Sequence, residues 1–172
     1  MVYSSDPHEK LQNARVLYQQ QNRPLAANRL IVEVMTTCEE SKDRVCLADA
    51  WVAYGVLLNS VAVERWENEH GKMQFPANRY KTSAEYLEKA AIVFNEQKLF
   101  DKATNAYFNQ GLSFELDREK TEACASYSKS LDAYKKNIEQ NPSVKPFVPS
   151  GYTNYEDFLA AERKSVGCQL TT

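Results

Sequence analysis

The sequence predicts an all-α protein of antiparallel helix hairpins, about six helices followed by a C-terminal capping helix. Three observations carry this expectation. The stretch Phe94–Tyr107 is copied at Phe114–Tyr127, so that Phe94 aligns with Phe114, Ala103 with Ala123 and Tyr107 with Tyr127. An offset of that length is one helix of roughly 16 residues plus a short turn, and self-similarity at a fixed period marks stacked helical units. The 172 residues hold only 5 Gly and 6 Pro, so breakers are scarce and long helices can run. Apolar residues also recur at helical spacing between recognisable caps.

Asp6-Pro7-His8-Glu9 is the first start signal. Asp6 can accept from free amides, Pro7 suits the first helical position, and Glu9 stands three residues after the cap. The helix runs to about Gln20, with Leu11, Ala14, Leu17 and Tyr18 on one face. Asn22-Arg23-Pro24 breaks the chain, and a second helix carrying Ala27, Leu30, Ile31 and Val34 fades near Glu40. The repeat reaches back here. Tyr18, Ala27 and Ile31 have the spacing of Phe94, Ala103 and Tyr107, an aromatic ending one helix and a small then a large residue in the next. A small side chain lets two helix axes approach, and the large ones fill the gaps beside it.

Ser41-Lys42-Asp43 is the next turn, and a longer third helix is expected over about Arg44 to Asn68, with Trp51, Tyr54, Gly55 and Leu58 inward. Gly71 fits a helix stop, and a loop follows to Arg79. Thr82-Ser83-Ala84-Glu85 reads as the capping box of a fourth helix that carries Leu87, Ala91 and Phe94 and ends near Gln97. The fifth and sixth are placed at about Phe100 to Leu116 and Glu119 to Gln140. Three prolines between Asn141 and Pro149 make an extended connector. Thr153-Asn154-Tyr155-Glu156 reads as the capping box of a last helix with Phe158, Leu159 and Ala160, ending near Gly167. Such a helix is expected to fold back over an exposed core edge, because the end of a stacked array needs a cap.

Composition narrows the function classes. Hydrophobic residues make up 43% and charged residues 26%, with 21 Lys plus Arg against 23 Asp plus Glu, which is ordinary for a globular protein. The absence of a basic block argues against nucleic-acid binding. The strongest apolar run, Val52–Val63, is broken by Gly55, Asn59 and Ser60 and reads as a buried helix rather than a membrane span. The opening MVYSSDPH lacks the regions of a signal peptide. The protein is therefore cytoplasmic, or else Met1 begins a chain from which a leader was removed and the compartment is periplasmic or otherwise extracytoplasmic.

No phosphate-cradling glycine loop is present, and no cofactor or metal is expected. His8 and His70 read as solvent-facing, and Ser126-Tyr127-Ser128-Lys129 matches S-x-x-K without its partner motifs. Cys38 and Cys46 lie equally far from Lys42, the middle of a turn, so a hairpin brings them near each other. Cys124 lies on the sixth helix and Cys168 in the tail that folds back over it. Two disulfides and an oxidising compartment are one reading. Four reduced thiols packed as small core residues are the other. No C-x-x-C is present and neither His adjoins a Cys, so zinc is disfavoured.

Over about residues 8–137 the chain resembles a tetratricopeptide repeat array. In the clearest copy (104–137), Tyr107, Gly111, Phe114, Ala123 and Tyr127 stand at that family's aromatic and small positions. Trp51, Tyr54, Gly55 and Leu58, with Ala84, Leu87 and Ala91, form a copy over 48–97 that carries an inserted loop at 71–79. Leu11, Ala14, Tyr18, Ala27 and Ile31 form a degenerate copy over 8–41, with Arg15 where Gly or Ala is expected. Ser130 departs from the usual Ala, and the closing proline is absent after Leu131. A connector (141–152) and a capping helix (153–166) complete the single domain.

The resemblance implies a right-handed α–α superhelix and a non-enzymatic scaffold or adaptor that takes a peptide or helix of a partner protein in a concave groove. By position, Asp49, Val52, Val56 and Asn59 would line the groove from the third helix, and Asn105, Phe108, Leu112 and Glu115 from the fifth. Asn105 and Phe108 share a helix face. An amide can bond a peptide backbone as donor and acceptor, and Phe108 offers an apolar anchor. The competing reading makes Phe108 core and Asn105 merely solvated. A chaperone-like adaptor for a secreted protein and a structural subunit of a homo-oligomer or envelope complex are the alternative functions.

Overall fold

A computed structural model describes residues 4–169 and shows eight α-helices, with no strand among those residues. Residues 1–3, part of the opening read above for a leader, lie outside the described residues. The helices are α1 (Pro7–Gln19), α2 (Pro24–Glu40), α3 (Arg44–Leu58), α4 (Val61–His70), α5 (Arg79–Glu96), α6 (Phe100–Leu116), α7 (Lys120–Gln140) and α8 (Tyr155–Val166). They pack as antiparallel sequential neighbours, α1 on α2, α2 on α3, α3 on α5, α5 on α6, α6 on α7 and α7 on α8. α1 also meets α3, and α3 meets α6, so these three form one layer. No single helix among the described residues is long and apolar enough to cross a membrane.

Local chemistry explains the helix ends. Asp6 accepts from the Glu9 amide at 3.0 Å and Pro7 opens α1. Four tight turns share one backbone device, a residue in the left-handed region: Asn22 (φ 51°), Lys42 (φ 55°), Lys98 (φ 57°) and Arg118 (φ 62°). The residue after each sends its amide back into the preceding helix. Leu99 donates to the Phe94 carbonyl and Glu119 to the Phe114 carbonyl, both at 2.8 Å. The sequence copy is thus also a copy of turn geometry, of the Schellman kind.

Three expected boundaries move. The third helix is two helices, because the chain bends by 55° at Asn59–Ser60. Ser60 adopts an extended backbone, its hydroxyl accepts from the Val63 amide, and α4 restarts from it. The buried Arg79 guanidinium donates to the Leu58 carbonyl at 2.5 Å and pairs with Glu67 at 3.0 Å, which ties the bend to the start of α5. α5 itself begins at Arg79 with Asn78 as cap. Thr82, expected as the cap, instead lies inside α5, and its neighbour Ser83 is fully buried with its hydroxyl donating to the Gly55 carbonyl at 2.8 Å. In α8 the box sits one residue later than expected: Asn154 accepts from the Asp157 amide at 2.8 Å. Ala160 faces solvent, and Tyr155 takes the buried place beside Phe158 and Leu159.

The core follows the repeat. Ala14, Leu17, Ala27, Ile31, Leu57, Leu58 and Val63 join α1 to α4, and Ala48, Ala91, Phe94, Ala103 and Tyr107 join α3, α5 and α6. Tyr127, Phe158 and Leu159 seal α6 and α7 under α8. Gly55 and Gly111 mark the closest approaches. A Cβ on Gly55 would lie 2.7 Å from Leu87 Cγ, and one on Gly111 would overlap the Cδ1–Cε1 edge of the Tyr127 ring. In α1 the small residue at the crossing is the fully buried Ala14, and Arg15 faces solvent.

Candidate functional site

A cleft of about 650 Å³ opens on the layer formed by α1, α3 and α6. The end of α1 supplies Tyr18, Gln19, Gln20 and, in its turn, Asn22. The α3–α4 bend supplies Val56, Asn59, Val61 and Arg65, and α6 supplies Asn109, Leu112, Glu115 and Leu116. Its walls are apolar with a rim of amides, and its charges are one cation, Arg65, and one anion, Glu115.

A hydroxyl relay fixes the floor. Asn59 Nδ2 donates to Ser113 Oγ at 2.8 Å, Ser113 and Ser83 exchange a bond at 2.9 Å, and Ser83 donates to the Gly55 carbonyl. Ser83 donates to the Gly55 carbonyl, which only accepts, so the single Ser113 hydroxyl proton is shared between Ser83 and the Asn109 carbonyl at 3.0 Å. Glu115 accepts from the Tyr127 hydroxyl. Burial, then that bond, pushes the Tyr127 hydroxyl far above its ordinary range. Glu162 on α8 is also pushed up, by burial and then by the Glu115 charge.

The eight expected groove residues divide into three groups. Val56, Asn59, Leu112 and Glu115 line the cleft. Asn105 and Phe108 line a smaller cavity of about 180 Å³ between α6 and the connector, where Pro146, Phe147 and Pro149 face them. There Phe108 is half-buried, with its ring centroid 4.9 Å from that of Phe158. Asp49 is held by Lys102 at 2.8 Å, and Val52 packs against the α3–α5–α6 core. Asn109 lines both cavities, so they are two reaches of one trough along α6.

The contribution of α1 and α4 was missed in the sequence. Its only signal was the Asn59–Ser60 interruption, which turns Val61, Ala62 and Arg65 toward the cleft. Two disulfides, Cys38–Cys46 and Cys124–Cys168, each with Cα atoms 5.6 Å apart, pair the four cysteines. Among the described residues, no three His, Cys, Asp or Glu side chains stand close enough to hold a metal ion. No protein-family model, no curated protein and no solved structure matches this chain.

Proposed function

We propose that this protein is a non-enzymatic scaffold of the tetratricopeptide-repeat kind that holds a peptide or helix of a partner protein in the α1–α3–α6 cleft. The observation that carries the reading is the make-up of the cleft: alternate helices of the array converge on one concavity, with apolar walls and an amide rim. Apolar walls supply affinity and the amides orient a ligand, as in pockets of this volume. Gly55 and Gly111, each facing a large side chain of the following helix, support the repeat assignment. The two disulfides support an oxidising compartment.

A photo-crosslinking residue at Leu112 tests the reading in the native cell. The expected result is one captured protein whose crosslinked segment maps to a contiguous peptide, and whose capture is lost in Val56→Asp. Capture that survives Val56→Asp, or none at Leu112 in a folded protein, removes the cleft as the binding surface.

A further inference from the structure

The trough along α6 is open at the cleft and covered at its other end by the chain itself. Residues 141–154 form no helix; turns at 142–143 and 150–151 flank a straighter stretch, 145–149, that lies against α6 as a strap. Pro146, Val148 and Pro149 are half-buried there, and Val148 joins the cluster of Phe108, Tyr127 and Phe158. Phe147 between them lines the cavity but is 81% exposed, so most of its ring lies in solvent. An amide reads the strap's main chain: Asn137 Nδ2 on α7 donates to the Val144 carbonyl at 2.5 Å.

The strap sits lightly. A cavity remains beneath it, Val144, Phe147 and Tyr152 are exposed, and its other main-chain bonds are local ones, Val144 to Asn141 and Tyr152 to Pro149. Its two ends are firm. α7 is a core helix, and α8 is anchored by buried Tyr155, Phe158 and Leu159 and by Cys124–Cys168.

We infer that the Asn105–Phe108 end of the trough is a seat for an extended, proline-containing segment that packs through apolar side chains, that the strap occupies it in cis, and that a partner segment of the same chemistry binds by displacing the strap. The inference rests on the scaffold reading above and names the partner's form, extended rather than helical. The face already holds an extended chain through half-buried prolines and Val148. A tethered segment acts at an effective concentration on the order of millimolar, so the strap is a standing competitor that a partner must exceed.

The test uses a synthetic peptide of residues 141–154 added in trans, read by fluorescence anisotropy and by crosslinking from Phe108. One recipient is the native protein. The second has the strap replaced by Gly and Ser at equal length, and the third carries Val148→Asp in the full chain; both keep α8 and its disulfide. The expected result is binding to an opened recipient at least about tenfold tighter than to the native protein. A Val148→Asp peptide should not bind, and a Phe147→Ser peptide, which loses a mostly exposed ring, should bind more tightly than it. Absence of trans binding to a folded opened variant overturns the inference, as does equal binding to all three recipients. Preference for a stapled amphipathic helix over the strap peptide also overturns it. None of these results bears on capture at Leu112, so the scaffold reading stands or falls separately. Concentration-dependent self-association that places Phe147 of one copy in the cleft of another would replace the external partner with a second copy and overturn the inference too.

Discussion

Gly111→Ala is the sharpest test of the packing. The new Cβ would overlap the Cε1 edge of the Tyr127 ring, 2.6 Å from Cδ1 and 2.8 Å from Cζ. That ring is fully buried and its hydroxyl is held by Glu115, so it has no free end to swing away. Overpacking of this kind costs about 1–3 kcal/mol, and a fixed ring places it near the upper end. Against this, Ala is better than Gly inside a helix by about 1 kcal/mol. The net expectation is a loss of about 2 kcal/mol, or roughly 4–8 °C in Tm for a domain of this size. Gly55→Ala is the control. Its Cβ meets the branch of Leu87, 2.7 Å from Cγ and 3.0 Å from Cδ1. Leu87 is also fully buried, but its contact is longer than that at Tyr127 and no hydrogen bond tethers it, so a clash at the lower end, about 1 kcal/mol, nearly cancels the helix gain. Equilibrium urea unfolding with unchanged slope measures both. In a Tyr127→Leu background the Gly111→Ala penalty should vanish, since the two residues form one contact. The reasoning is refuted if Gly111→Ala lies within about 0.5 kcal/mol of the parent, or if Gly55→Ala costs more.

Other outcomes follow from the same geometry. Lys98→Gly and Arg118→Gly, at φ 57° and 62°, should each stabilise by about 0.5–1 kcal/mol in urea unfolding, because a Cβ in the left-handed region costs about that much or more. Removing Cys124–Cys168, with a separation of 44 residues, should cost about 4 kcal/mol on the chain-entropy account, and removing Cys38–Cys46, with a separation of 8, about 2.5 kcal/mol, each as a paired Cys→Ser change read by urea unfolding. Glu162 is raised from its ordinary 4.5, so the folded state binds its proton more tightly than the unfolded state does. Stability is then greatest below 4.5 for this group and falls as pH rises through the raised value. Glu162→Gln should flatten that limb of a stability–pH profile. Tyr155 is raised to about 12, chiefly by burial. The unfolded chain therefore ionises first above 10, and stability should fall there, as ultraviolet titration during unfolding would show.

The helices were legible because their signals are local. Asp6–Pro7, Pro24 and the apolar stripes of α1, α2, α6 and α7 each specify an element within a few residues. The misplaced boundaries share a cause. Thr82 and Thr153 match a capping pattern, yet the box is satisfied elsewhere, at Asn78 and Asn154, because burial of Ser83 against Gly55 and of Tyr155 against Ser130 sets the register. Local pattern proposes a cap, and long-range packing chooses among candidates. The α3–α4 bend had the same character: Asn59 and Ser60 were visible as interruptions, but only the Ser113 and Arg79 partners make the break a bend. The turn residues were illegible as such. Asn22, Lys42, Lys98 and Arg118 carry side chains where Gly would have announced the left-handed backbone.

The groove residues were half legible for a geometric reason. Position in a repeat predicts which helix face a residue occupies, and that placed Val56, Asn59, Leu112 and Glu115 on one cleft. It says nothing of what a nonrepeating segment does afterwards. The strap and α8 come from the part of the chain outside the repeat, and they cover the face at Asn105 and Phe108. α8 meets the array mainly through α7, and terminal units of a stacked array, with a neighbour on one side only, are where opening starts. Cys124–Cys168 fastens that terminal unit. With α8 fixed, the strap does not need strong contacts of its own to stay in place, and its exposed Val144, Phe147 and Tyr152 accord with that. A segment pinned at both ends and weakly seated between them can yield its place to a competitor while the cap remains on the array. The disulfide and the loose strap are therefore two parts of one arrangement: the first protects the end of the fold, and the second lets the proposed seat at Asn105 and Phe108 open without loss of the cap.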